Sequence, residues 1–323
     1  MAEKDTVTKT LEEYDDVFAD IVNVLLFGGK RVVKEDELSP ADIFSQYKAS
    51  GNISMQERDV SKFWKHTGVN IAFVGIENQS SPDKTMPMRV ISYDGAAYRS
   101  QLKVKNDGES HYYPVVTIVL YFGEDDWSCG RSLFDCIEIE PGLKPFVNDY
   151  RINLFSMKDM TEESVSLFES DFGIIAEFFM KMNSDGNDIT FSDRPFDHPQ
   201  ETLDLISVFS GDSRFTDEYN RIESEKREGG ISMCDIYDKI EERGLEKGME
   251  EGIQKGMQKG MEKGMEEGIQ KGMQKGMEKG MQKGMEKGRS EMLKKLTSLG
   301  NSVRQLSEMF GMSENEIERL LAL

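Results

Sequence analysis

Cysteine, histidine, tryptophan and long apolar runs are all in short supply in this chain. Among 323 residues there are three cysteines, Cys129, Cys136 and Cys234. Their odd number and the lack of a CxxC spacing argue against a disulfide scaffold or a zinc ribbon and fit a reducing compartment, so a cytoplasmic protein is expected. The three histidines, His66, His111 and His198, are too scattered for a His-rich metal site. The longest apolar stretches, such as 115–122, fall far short of the roughly 20 residues that span a bilayer, and no membrane role is expected. The opening MAEKDTVTKTLEEYDD is polar and acidic and does not read as a signal peptide. Positive charge is scarce as well, with 40 basic against 60 acidic side chains and a net charge of −20. The excess is uneven: residues 1–242 carry about −22, 243–289 about +3, and the remainder about −1. A passive nucleic-acid binder would show the opposite sign, because phosphate contacts dominate affinity. Contact with nucleic acid then needs a local basic groove or bound cations. Arg89, Arg99, Lys103 and Lys105 are the candidates, a solvated helix face being the plainer reading of each.

What is present is enough apolar material, 37 % of residues, for a real core. The chain divides into three parts. Residues 10–235 have mixed, globular character. Apolar spacing predicts helices over 16–27, 88–102, 171–182 and 201–209, with Gly28-Gly29 stopping the first. Short β-branched runs predict buried strands over 69–76 and 115–122, and 151–157 reads as a further strand. This order predicts an α/β fold with a mixed sheet covered on both faces. Residues 243–289 are a KGMx tetrapeptide tract in which EKGMEEGIQKGMQKGM at 246–261 recurs unchanged at 262–277. Glycine at every fourth position from Gly244 to Gly288 would cost a helix about 10 kcal/mol relative to alanine, and i,i+4 pairs such as Glu251–Lys255 and Glu267–Lys271 return only about 0.3 kcal/mol each. The tract reads as a Gly-rich linker or marginal helix, with an oligomerisation stalk as the functional alternative. Residues 290–323 recover helical periodicity, with helices over 302–310 and 314–321 in a helix-turn-helix-like layout and Ser313–Glu316 as a capping box. Glu314, Glu316 and Glu318 against one Arg319 favour a small packing or dimerisation unit over a DNA-recognition helix.

The chemistry is concentrated between 56 and 102. Asp59 lies in QERDVSK, and the strand over 69–76 runs into Glu77-Asn78-Gln79. Strand alternation sends Glu77 and Gln79 to one face and Asn78 to the other. An acid, then a hairpin-like turn, then a second acid on a buried strand can set two carboxylates side by side, and these repel unless a cation sits between them. Oxygen-only ligands suit Mg2+, which keeps several waters and binds phosphate. Gln79 could orient an attacking water but carries neither charge nor a useful pKa. Spacing alone leaves a solvated acid pair as the ordinary alternative. NSDGND at 183–188 lacks the spacing of a calcium loop and reads as a turn. Trp64 and Trp127 read as core or rim residues.

Several stretches resemble one family: FADIVNVLLFGG at 18–29, ERDVSKFWK at 57–65, GIENQ at 75–79, MPMRVISYDGAAYRSQL at 86–102, YPVVTIVLYFG at 113–123, DWSCGRSL at 126–133 and VNDYRINLF at 147–155. The chain resembles the Rpn group of recombination-promoting nucleases, also called YhgA-like or putative transposases, within the PD-(D/E)xK nuclease superfamily. The resemblance implies a PD-(D/E)xK-like mixed sheet flanked by helices and a Mg2+- or Mn2+-dependent DNA endonuclease linked to recombination or mobile elements. It further implies Asp59 as the core metal-binding aspartate, Glu77 as the second carboxylate ligand, and Gln79 in the place of the usual lysine. A third acid from the first core helix would be Asp20, with Asp16 behind it. Arg89 and Arg99 would meet DNA phosphates. Tyr93, Asp94 and Tyr98, on the same predicted helix, either touch the site or pack. A reading from a different class stands beside the enzyme: a non-catalytic nuclease-fold interaction protein assembled, as a homo-oligomer, through the repeat and tail. The acidic body and Gln79 favour that second reading; the paired acids at a strand end favour the enzyme.

Overall fold

The structure, a computed structural model, describes residues 2–41, 44–49, 52–102, 112–182, 191–224 and 230–323. Lys103, Lys105, His111 and the turn expected at 183–188 lie outside the described residues. The chain forms two compact units, Met1–Arg243 and Gly244–Leu323. In order, the elements are α1 (Ala2–Glu12), α2 (Asp15–Phe27), β1 (Leu38–Pro40), β2 (Phe44–Ala49), β3 (Asn52–Glu57), β4 (Val60–His66), β5 (Val69–Gln79), α3 (Met86–Gln101), β6 (Val115–Tyr121), α4 (Leu133–Cys136), β7 (Asn153–Ser156), α5 (Glu162–Val165), α6 (Phe172–Met182), α7 (Pro199–Ser210), α8 (Arg214–Ser224), α9 (Met233–Ser298), α10 (Val303–Phe310) and α11 (Glu314–Leu321).

The first unit is built on a five-stranded sheet of order β1-β4-β5-β6-β7, with β2 and β3 forming a separate two-stranded antiparallel pair. β1, β4 and β5 run antiparallel to their neighbours, while β5, β6 and β7 are parallel, so the sheet is mixed as expected. β5 is its centre and carries seven consecutive buried residues, 72–78, because helices cover both faces. On one face Val74 and Ile76 join Ile118 and Leu120 in the main core with α2, α6 and α7. On the other, Val119 packs with Met86 and Val90 of α3. α2 ends at Gly28, whose N–H bonds the Val24 carbonyl and whose left-handed backbone (φ 61°) lets the Gly29 N–H reach the Asn23 carbonyl. β5 runs on to Gln79, past its predicted end, and α3 starts at Met86, ahead of its predicted start, since Pro87 sits within its first turn rather than before it.

The second unit contains the repeat, which is helical throughout within the 66-residue α9. The predicted pairs form, with Lys255 Nζ 3.4 Å from Glu251 and Lys271 Nζ 3.6 Å from Glu267. The repeat glycines meet nothing where a Cβ would stand, and the methionines and isoleucines between them are exposed. A period of four drifts about 40° per repeat around a helix of 3.6 residues per turn, so no one face collects the apolar residues. Beyond the repeat, Leu293, Leu306, Ile317 and Leu320 bury one another in a small three-helix core. Ser313 caps α11 by accepting the Glu316 N–H at 3.3 Å. The reciprocal capping box belongs instead to Ser302 and Gln305 at the start of α10.

Candidate functional site

Glu77 lies near the carboxyl end of β5, and its side chain points to the α3 face. Asp59 immediately precedes β4, whose first residue, Val60, pairs with Ile76. The antiparallel register therefore brings Asp59 beside the end of β5. Its Oδ2 accepts the Asn78 backbone N–H at 2.7 Å, and its Oδ1 pairs with Lys9 Nζ at 3.1 Å. A third acid joins them. Glu12, the last residue of α1, is fully buried, and its Oε2 accepts from Asn78 Nδ2 at 2.8 Å. Asn78 thus ties the two acids together, one through its backbone and one through its amide.

α1 is held in place by contacts that the local sequence does not advertise. Lys62 of β4 donates to the Glu13 carbonyl and pairs with Asp15, clamping the turn between α1 and α2. Tyr14 donates to Glu201 of α7 at 2.8 Å and stacks on His198, which contacts Asp16 at 2.9 Å.

The electrostatics of the three acids are strained. Burial pushes the Glu77 carboxyl up to about 8, and the Asp59 charge adds to the rise against the attraction of Arg89, Arg58 and Lys9. Burial likewise raises Glu12 well above the ordinary carboxylate range, relieved in part by Asn78 and worsened by Asp59 and Glu77. Three buried oxygens here, Glu12 Oε1, Glu77 Oε1 and Asn78 Oδ1, accept no hydrogen bond. Orphaned buried acceptors are rare in folded proteins and call for a specific explanation.

Arg89, on α3, lies over this cluster. It reaches Glu77 Oε2 at 3.3 Å, Asp83 at 3.0 Å and the Tyr93 hydroxyl at 3.3 Å. Asp83, Tyr93 and Glu77 raise its pKa further despite its partial burial. Beneath it runs a buried network. Arg58 donates to Asp94 at 2.7 Å and to Thr117 at 2.8 Å, and its guanidinium lies over the rings of Phe73 and Tyr93. Tyr150 donates to the other Asp94 oxygen. Gly75 is required here, since a Cβ would collide with the Arg58 guanidinium.

Of the residues singled out in the sequence, Asp59, Glu77 and Arg89 come together, and Gln79 lies two residues on from Glu77 along β5, paired with Tyr121. Asp20 does not join them. Its Oδ1 takes Arg31 at 2.6 Å and its Oδ2 takes the Ser170 hydroxyl and the backbone N–H groups of Glu169 and Ser170. It is a satisfied structural carboxylate, and the helical acid near Asp59 and Glu77 is Glu12 instead. Asp16 faces His198, and Arg99 is exposed in the last turn of α3. Of the three α3 residues whose role is open in the sequence, Tyr93 accepts from Arg89 at 3.3 Å, Asp94 locks Arg58, and the Tyr98 hydroxyl accepts the Val115 N–H at 3.1 Å. Glu12, Lys9 and Asn78 were not singled out. The clue available for Glu12 was its place directly after the apolar Leu11, itself fully buried.

Among the described residues, no three His, Cys, Asp or Glu side chains stand close enough to hold one metal ion as they are. The donors that converge are nonetheless all oxygens, two of the carboxylates repel, and each of Glu12 and Glu77 has one oxygen unpaired. That donor chemistry is of the kind a hard divalent cation accepts. No described helix is long and apolar enough to cross a membrane.

A model of the family described as putative transposase, YhgA-like, matches residues 64–193. No curated protein and no solved structure matches the chain. The matched segment contains Glu77, Gln79, Arg89 and Asp94, while Lys9, Glu12 and Asp59 precede it. Over residues 64–193, then, the chain is similar to the YhgA-like putative transposases.

Proposed function

We propose that the protein is a metal-dependent DNA endonuclease, hydrolysing phosphodiester bonds in the setting of recombination or mobile elements, with a PD-(D/E)xK-type site. The observation that carries this reading is the meeting of Glu12, Asp59 and Glu77 around Asn78, with Glu12 and Glu77 each holding an unpaired buried oxygen. Asp59 and Glu77 would hold Mg2+ or Mn2+, which supplies Lewis acidity and an activated water when bound. Asn78 fixes the Asp59 carboxylate and the Glu12 carboxyl relative to one another. Gln79 presents an amide that orients a water without adding charge. Arg89 exchanges its contact with Glu77 for a substrate phosphate, using a guanidinium fork suited to that anion. Arg99 lies on the same helix and extends the basic contact along DNA.

The neutral Gln79 and the acidic body support the alternative, a non-catalytic interaction protein assembled through the repeat and tail. Nicking of supercoiled plasmid at low salt separates the two. Cleavage by the wild type with Mg2+ or Mn2+, abolished by EDTA and by Glu77→Ala, is the expected result. A folded wild type that cleaves with neither metal sinks the nuclease reading.

A further inference from the structure

Hydrolysis of a phosphodiester adds negative charge to oxygens that are already anionic, and this site surrounds them with three acids. Beyond what a bound metal ion would supply, positive charge comes from side chains at hand. Three cations act on Glu77: Arg89, Arg58 and Lys9. Arg58 is committed, being buried, bonded to Asp94 and Thr117, and lying over two aromatic rings. Arg89 is shared between Glu77, Asp83 and Tyr93 at the outer side of the cluster. Gln79 contributes no charge.

We propose that Lys9 is a catalytic cation of this site, its ammonium contacting the phosphate that is cleaved. Lys9 Nζ stands 3.1 Å from Asp59 Oδ1 with 28 % of its side chain exposed, so it reaches both the acid and the solvent from which DNA arrives. It lies three residues before Glu12 on α1, a spacing that puts both side chains on one helix face. The helix is anchored at its end by Lys62 and Tyr14, which fixes the Lys9 backbone. The four-carbon stem leaves the ammonium able to swing between Asp59 and an incoming phosphate, with three donors to divide between them. α1 thereby supplies an acid and a base of opposite charge to one site, Glu12 inward and Lys9 toward solvent.

This inference rests on the nuclease reading, and the test separates the two. Single-turnover cleavage in saturating Mn2+ would be measured for wild type, Lys9→Met, Lys9→Arg and Lys9→Met/Gln79→Lys, with Asp59→Asn as the site control. DNA affinity would be measured by fluorescence anisotropy in Ca2+, and folding by thermal melts. Lys9→Met is expected to slow cleavage about 100-fold, as loss of one such donor does elsewhere. Its DNA affinity should change less than about threefold. Lys9→Arg and the Gln79→Lys double variant should each recover part of the rate. If wild type cleaves, Asp59→Asn does not, and Lys9→Met cleaves at the wild-type rate, the Lys9 assignment is wrong and the nuclease reading stands. A Lys9→Met loss that is all in DNA affinity, with the bound-state rate unchanged, also overturns it. Absence of cleavage by folded wild type removes both.

Discussion

Replacing Glu77 by glutamine should stabilise the first unit, and increasingly so as the pH rises. Glu77 is 1 % exposed, and its carboxyl is held at about 8. At low pH it is protonated in both the folded and unfolded chain and costs nothing. As pH passes the ordinary value of 4.5, the unfolded chain releases the proton while the folded chain keeps it, so stability falls until about pH 8. The full window corresponds to roughly 5 kcal/mol as an upper value, at about 1.4 kcal/mol per pH unit. Glutamine removes that dependence and forfeits the half-exposed contact with Arg89, worth no more than about 1 kcal/mol. Glu77→Gln should therefore exceed wild type by up to about 4 kcal/mol at pH 8.5 in EDTA, and by little at pH 5. Urea unfolding followed by tryptophan fluorescence is the suitable assay, because Trp64 and Trp127 both lie in the first unit. A stability difference that stays constant from pH 5 to 8.5 would refute the reasoning.

Other outcomes follow from the same geometry. Asp59→Asn keeps an acceptor for the Asn78 N–H but removes the charge beside Glu77, so the pH dependence of stability should become shallower while metal-dependent cleavage is lost. Asp94→Ala leaves the buried Arg58 charge without its partner and should cost about 3–5 kcal/mol in urea unfolding. Changing Gly256, Gly260 and Gly272 to alanine meets no steric obstacle. It should add about 0.8 kcal/mol per site to helix stability, read as a higher midpoint in melts of the full chain at 222 nm. No gain in that midpoint would mean that the tract is not helical in solution.

The parts of the fold that sequence revealed are those written in local pattern. The β-branched runs around Val74 and Ile118 announce β5 and β6, and Gly28 announces the end of α2. β1 and the β2–β3 pair went unread because 38–57 is too polar and mixed to alternate clearly. The site divides in the same way. Glu77 is legible at the end of an apolar strand and Asp59 through the family resemblance, whereas β4, whose antiparallel register sets Asp59 beside the end of β5, is not. Glu12 is not legible, because its partner Asn78 lies 66 residues away and its helix packs against α7, still further along the chain. Asp20 had the better local credentials, in an apolar helix, but Ser170 and Arg31 claim it. For the repeat, summed propensities left linker and helix open, and the structure is a continuous helix whose glycines face only open space.

That last feature makes the length of α9 a heritable variable. The duplicated block of 16 residues is encoded by a multiple of three nucleotides, so slippage during replication by one whole block preserves the reading frame. No side chain in the block is engaged by a core, and none would be displaced by gain or loss of a copy. Each such event changes the helix by about 24 Å in a single generation. The rest of the protein must find its length by substitution, one residue at a time, whereas this segment can sample lengths in quanta.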